Sequence, residues 1–272
     1  MKKLISGPYG VLLTPFNDNK VDFVNLKKEL DYVNDDGIKG FVLNGSTSEF
    51  INLSIDEQIE IIKFVSLNKA KNKEMIVGAS ASNAVDSIKI AEKAYEYGAK
   101  ALLVCPPYYF KYTESEKEKY YLDIANNSKV PLILYNIPFF TQEIELSLVD
   151  KLFKHPNIIG IKDSSANMKR IMHLLSKYKD TNKIILTGTD DILVPALAAG
   201  VDGSFTALSI IHPHKISKLY ELMAKGLIKE ALEVQMSFME DLRIADSMTF
   251  PFGYKRLMEK ASNINFNDKE IN

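Results

Sequence analysis

Residues 157–165 read NIIGIKDSS. Asn157 to Ile161 is a short apolar run bounded by turn residues, the pattern of a strand buried on both faces, and the run ends in a lysine, Lys162. Seven other apolar, β-branched bursts share the pattern: YGVLLTPF (9–16), KGFVLNG (39–45), EMIVGAS (74–80), KALLVCP (100–106), PLILYN (131–136), KIILTG (183–188) and VDGSFTA (201–207). Stretches of helical periodicity lie between them. Strand, helix and strand recurring every 18 to 35 residues imply right-handed crossovers and a parallel sheet, and eight strands let that sheet close. The length of 272 residues matches the roughly 250 typical of one such closed unit. The expected fold class is α/β, a (β/α)8 TIM barrel.

Local signals support the alternation. Ser54 to Glu57 has the S-x-x-E form of a capping box, and SIKIAEKAYEYG closes at Gly98 as a helix with a glycine stop. After residue 210 the alternation ends. HKISKLYELMAKG, IKEALEVQMSFMEDLRIADS and FGYKRLMEK read as two or three further helices, a C-terminal helical extension. The expected organisation is a barrel over 1–210 with helices over 211–272 packed on it as one structural unit. The last residues, NFNDKEIN, read as frayed.

Composition narrows the function. With 34 basic and 35 acidic residues the net charge is −1, which gives no electrostatic footprint for nucleic acid or an anionic membrane. The expected partner is a small, soluble ligand, with no nucleic acid and no membrane. The single cysteine, Cys105, permits no internal disulfide, and MKKLISGPYG carries no extended apolar stretch, so the expected location is cytoplasmic. Arginine occurs only at 170, 243 and 256.

In a barrel of this kind ligands meet the C-terminal ends of the strands. The polar residues there are Asn44 to Glu49, Ser80, Tyr108 and Tyr109, Tyr135 and Asn136, Lys162 to Ser164, Gly188 to Asp191, and Ser204 to Ala207. A lysine at a strand end ordinarily snorkels to water. Burial among apolar groups instead lowers its pKa from about 10.4 toward roughly 7, and the neutral amine can attack a ketone to give a Schiff base. Such chemistry needs a proton shuttle, for which Tyr135 on the preceding strand is suited. It also needs an anchor, and Ser46 and Thr47 offer hydroxyls and backbone N–H groups for a carboxylate. Cys105 lacks a histidine at a neighbouring strand end and reads as inert. His212 and His214 lack a third ligand at metal spacing, and Asp190-Asp191 reads equally as a helix cap or an acidic site. No metal and no cofactor are expected.

GSTSE after strand two, PYY after strand four, YNIP after strand five and GIKD after strand six, in this order and spacing, resemble the pyruvate-dependent class I aldolases. That superfamily includes dihydrodipicolinate synthase, N-acetylneuraminate lyase and 2-keto-3-deoxygluconate aldolase. The resemblance implies that Lys162 forms the Schiff base, that Tyr135 relays protons, and that Ser46 and Thr47 hold the 2-oxo acid carboxylate. It implies that Thr47 or Tyr109 completes the proton path, that one of Tyr108 and Tyr109, by preference Tyr109, is lent across a subunit interface, and that the assembly is a homotetramer. Ser164, Gly188, Asp190 and Ala207 look like substrate contacts.

Four departures bear on the substrate. Phe140 stands where dihydrodipicolinate synthases carry an arginine that grips a second carboxylate. This points to an archaeal-type 2-keto-3-deoxygluconate aldolase, with dihydrodipicolinate synthase and N-acetylneuraminate lyase as alternatives. Tyr112 stands at the aligned phosphate position beside Lys111, which favours an unphosphorylated substrate. Ser48 and Gln142 replace usual glycines; a positive φ at 48 would strain the serine, and Gln142 would reshape the loop beneath the substrate. A barrel that binds a 2-oxo acid without turnover is the non-enzymatic alternative, against which the joint presence of lysine, tyrosine and both hydroxyls counts.

Overall fold

A computed structural model describes residues 3–34 and 37–267. Eight parallel strands close into a barrel: β1 (Gly7–Val11), β2 (Gly40–Leu43), β3 (Glu74–Gly78), β4 (Ala101–Val104), β5 (Leu132–Asn136), β6 (Ile158–Asp163), β7 (Ile184–Thr187) and β8 (Gly203–Thr206). Their order around the barrel is β1-β8-β7-β6-β5-β4-β3-β2, and every apolar burst seen in the sequence is one of them. Helices separate the strands, and a helical region follows the last. Contacts divide the chain into two compact units. One holds residues up to Ser6 with Ile76–Ser204; the other holds Gly7–Met75 with the residues from Phe205 onward.

In the first unit β4 to β7 form a continuous parallel ladder. Leu134 pairs with Ile161, Tyr135 with Lys162, and Lys162 with Leu186. All five residues of β5 are buried, as a strand covered on both faces requires. The helices have definite starts and stops. Asn83 caps Ala84–Glu96, which ends before Gly98 at φ +76°, and Thr113 builds a full capping box on Glu114–Asn127.

In the second unit β1 pairs with β2 through Gly10 and Phe41, and Ser54 and Glu57 form the expected capping box on Ile55–Asn68. A hairpin of Phe16–Asn17 and Lys20–Val21 turns through Asp18 and Asn19, both in the left-handed region. Among the described residues five helices follow β8: Leu208–Ile211, Pro213–Ala224, Ile228–Met236, Met239–Asp246 and Phe252–Ser262. The stretch 228–246, read as one helix from sequence, is two. It breaks beside Phe238, whose side chain is fully buried. The tail is not frayed as far as it is described: Phe266 is buried and Asn267 bridges to Phe16, while 268–272 lie outside the described residues.

The second unit also buries charge. Lys255, on the last helix, is fully enclosed and pairs with Glu49 at 2.5 Å. Its Nζ lies 4.7 Å from the centroid of the Phe16 ring and donates to the Asn267 carbonyl at 3.2 Å. Glu29, also fully enclosed, accepts from the Leu13 N–H at 2.9 Å, and burial pushes its carboxyl up to about 8 from an ordinary value of 4.5. The folded chain therefore holds a proton on Glu29 that the unfolded chain releases, so this contribution to stability falls as pH rises from about 4.5 to about 8. Urea titrations across that window should show a decline in wild type that Glu29→Gln flattens; equal slopes for both proteins would contradict it.

Candidate functional site

Lys162 and Tyr135 stand side by side at the C-terminal ends of β6 and β5 because the parallel register pairs them directly. Lys162 is only 4 % exposed, so snorkelling does not describe it. Its Nζ sits 4.1 Å from the centroid of the Tyr135 ring, within cation–π range. Gly188, just past β7, makes this possible: a Cβ at that position would collide with both Ser164 Oγ and Lys162 Cε. The serine hydroxyl and the lysine stem therefore press against the same point in space. Ser164 is buried, and among the described residues its Oγ has no hydrogen-bond partner. A buried hydroxyl in that condition beside a lysine is available to a ligand.

The residue after the lysine organises what lies behind it. Asp163 is fully buried and accepts four hydrogen bonds. Asn136 Nδ2 donates at 2.8 Å and Arg170 Nε at 2.6 Å to one oxygen, and the Ser165 N–H and hydroxyl donate at 3.0 and 2.5 Å to the other. Arg170 goes on to donate to Glu143 Oε1 at 3.0 Å and to the Ile144 carbonyl at 2.6 Å. Asn136 Oδ1 accepts from the Ile144 N–H at 2.9 Å. One buried ion pair thus ties the ends of β5 and β6 to the loop that follows β5. Lys117, also buried, holds the same loop through the Glu143 carbonyl at 2.8 Å and the Glu145 carboxylate at 2.6 Å.

The remaining expected site residues of the first unit lie past the ends of β4 and β7. Asp190 is buried in a short 3-10 turn after β7. Tyr109 follows β4 at φ +80°, is 91 % exposed, and sets its ring against Phe110 with centroids 4.9 Å apart. Phe140 is exposed. Gln142 ties its loop to the one after β4: Oε1 accepts from the Tyr112 N–H at 2.5 Å and Nε2 donates to the Tyr112 carbonyl at 3.1 Å. Cys105 is buried, and burial pushes its thiol up to about 11.

In the second unit Ser46 and Thr47 lie on the loop after β2. The positive φ values of that loop fall at Asn44 and Glu49, not at Ser48. Ser48 is therefore unstrained; its hydroxyl donates to the Leu12 carbonyl at 2.5 Å, and Thr14 donates to the Ser48 carbonyl at 2.7 Å. Glu49, pinned by Lys255, closes the loop. Ala207 is buried at the entry to Leu208–Ile211. His212 Nε2 lies 2.8 Å from the Asp241 carboxylate, stacked on Phe238. Among the described residues no group of three or more His, Cys, Asp or Glu could hold a metal, and no helix is long and apolar enough to cross a membrane.

Reading the strand ends missed Arg170, Lys117 and the tie of Gln142 to Tyr112. One signal was available, since Arg170 is the sole arginine among the first 242 residues and follows the lysine strand by less than two helical turns. Arg170→Met leaves Asp163 a buried charge without its counterion, and urea unfolding should show a loss of about 3–5 kcal/mol. Adding Asp163→Asn should recover part of that loss; a single variant as stable as wild type would contradict the pairing.

Comparison with known proteins places this geometry. Residues 4–264 match the dihydrodipicolinate synthetase family. A 4-hydroxy-tetrahydrodipicolinate synthase of Endomicrobium trichonymphae is 33 % identical over 255 residues, covering 93 % of this chain and 87 % of the relative. The solved 4-hydroxy-tetrahydrodipicolinate synthase of Methylacidiphilum fumariolicum superposes with a TM-score of 0.91 at 25 % identity, covering 98 % of this chain and 89 % of that one. The 2-keto 3-deoxygluconate aldolase of Picrophilus torridus gives 0.90 at 25 % identity, covering 96 % and 95 %. Enzymes of this family bind small 2-oxo acids and work through a lysine Schiff base with pyruvate, without an external cofactor. The chain, matched by the family over residues 4–264 and by a relative of one-third identity over most of its length, therefore belongs to the dihydrodipicolinate synthetase family, a family of carbon–carbon lyase enzymes.

Proposed function

We propose that Lys162 is the Schiff-base lysine and that the chain joins pyruvate to an aldehyde, or releases it from one. The observation that carries this reading is Lys162 buried against Tyr135 in the space left by Gly188. The amine attacks the C2 carbonyl of pyruvate, water leaves, and the iminium makes C3 acidic enough to give an enamine. The enamine carbon then attacks the aldehyde, Tyr135 passes the proton to the new alkoxide, and hydrolysis frees the lysine. Ser46 and Thr47, on a loop fixed through Ser48 and Glu49, bind the pyruvate carboxylate. Ser164, Gly188, Asp190 and Ala207 border the remainder of the substrate. The exposure of Tyr109 supports its loan to a second subunit in a homotetramer, where it or Thr47 completes the proton path.

For the aldehyde, the curated relatives weigh toward aspartate semialdehyde and the synthesis of 4-hydroxy-tetrahydrodipicolinate, because they carry that name over most of this chain's length. Phe140 favours a second reading. A phenyl ring cannot grip a carboxylate as a guanidinium does, which favours cleavage of the uncharged-tailed 2-keto-3-deoxygluconate to pyruvate and glyceraldehyde. In that direction Tyr135 takes the C4 hydroxyl proton as the C3–C4 bond breaks.

Borohydride reduction with pyruvate, followed by peptide mass spectrometry, should place a single pyruvyl adduct on Lys162 and none on Lys162→Ala. Folded protein that binds pyruvate without an adduct would instead support the non-catalytic barrel. Turnover with aspartate semialdehyde and with 2-keto-3-deoxygluconate, measured side by side, decides the partner. Gly188→Ala should fold yet trap pyruvate about a hundredfold more slowly, because the added methyl displaces the lysine from its reacting position; an unchanged rate would show that the space is not needed.

A further inference from the structure

We infer that Gln142 is a positioning residue that welds the loop after β4 to the loop after β5, and through that weld sets the fit of the aldehyde. The inference deepens the reading of Lys162 as the Schiff-base lysine and rests on it.

A side-chain amide offers one acceptor and one donor a short distance apart. Gln142 spends both on a single residue, taking the Tyr112 N–H at 2.5 Å and giving to the Tyr112 carbonyl at 3.1 Å. That is the pair of bonds a neighbouring β-strand would make, here supplied by a side chain. Tyr112 cannot drift, because Thr113 begins the capping box of Glu114–Asn127. The other loop is equally constrained on its far side, where Arg170 holds Glu143 and Ile144 and Lys117 holds Glu143 and Glu145. Gln142 thus joins two segments that are each anchored at one end.

What the weld carries is aromatic. Tyr109 lies three residues before Tyr112 with φ at +80°, a conformation an aromatic residue keeps only where its surroundings enforce it. Phe139 and Phe140 lie three and two residues before Gln142, and both rings are exposed. In the resembled family this position is usually glycine, which has no side chain to bridge with. The weld therefore acts on these loops and leaves Lys162 itself alone, since the lysine is held by the β5, β6 and β7 register and by the gap at Gly188.

Gln142→Gly and Gln142→Glu test this. The glutamate keeps the acceptor for the Tyr112 N–H but cannot donate to its carbonyl, so it should fall between glycine and wild type. For Gln142→Gly, hydrogen exchange should show faster exchange at the Tyr112 amide. Borohydride trapping of pyruvate should stay within about twofold, and the KM for whichever of aspartate semialdehyde or glyceraldehyde wild type uses should rise about tenfold with kcat less affected. Unchanged Tyr112 exchange would overturn the weld, and faster exchange with an unchanged aldehyde KM would overturn its role in fit. If wild type traps no pyruvate, the Schiff-base reading fails, while Tyr112 exchange in the glycine variant still decides whether the weld exists.

Discussion

Asp163 in the dry interior of the first unit is the constraint from which much else follows. A carboxylate that deep is tolerable only when its charge is matched and its lone pairs are filled, and Asn136, Arg170 and Ser165 do both. Because these partners come from the strand before, the helix after and the adjoining turn, satisfying one carboxylate fixes three pieces of backbone. Lys162 is the preceding residue on the same strand, so its direction is determined by the same contacts. The loop after β5 is tied in through the far side of the guanidinium, which gives the site a floor with little freedom.

The eight strands and most helix boundaries were legible because burial on both faces writes continuous apolar runs, and capping writes a recognisable residue at a fixed offset, as at Ser54 and Gly98. Lys162 and Tyr135 were legible because each ends such a run. Arg170 was not, since a lone arginine on an amphipathic helix looks the same whether it faces solvent or turns inward to Asp163. The hairpin at Phe16–Val21 was missed because two-residue strands are too short for periodicity to register. The break beside Phe238 escaped for a related reason: nothing local forbids the helix from continuing, and the burial of one ring decides it. Ser48 shows the reverse error, in which a substitution for glycine suggested strain and the backbone placed its left-handed residues at Asn44 and Glu49 instead.

Substrate choice is a different order of question from reaction class. The class rests on a lysine Schiff base with pyruvate, which enzymes of this family share. In the reading proposed above, the choice falls to a few positions in the loops after β4 and β5. Two of these, Phe140 and Gln142, depart from the usual residues in ways that change charge and stiffness rather than architecture. Names attached to relatives of about one-third identity speak to the first question with more authority than to the second.

The ion pair between Glu49 and Lys255 has a consequence in time rather than in space. Its two members are separated by roughly two hundred residues, so while the protein is being made the Ser46–Thr47 loop waits, with a carboxylate destined for burial, for an ammonium that emerges much later. At a synthesis rate of about 5–20 residues per second that wait is on the order of ten seconds or more. The Ser46–Thr47 loop thus gains this counterion only once residue 255 has been made, and a polypeptide released before that point leaves Glu49 without it.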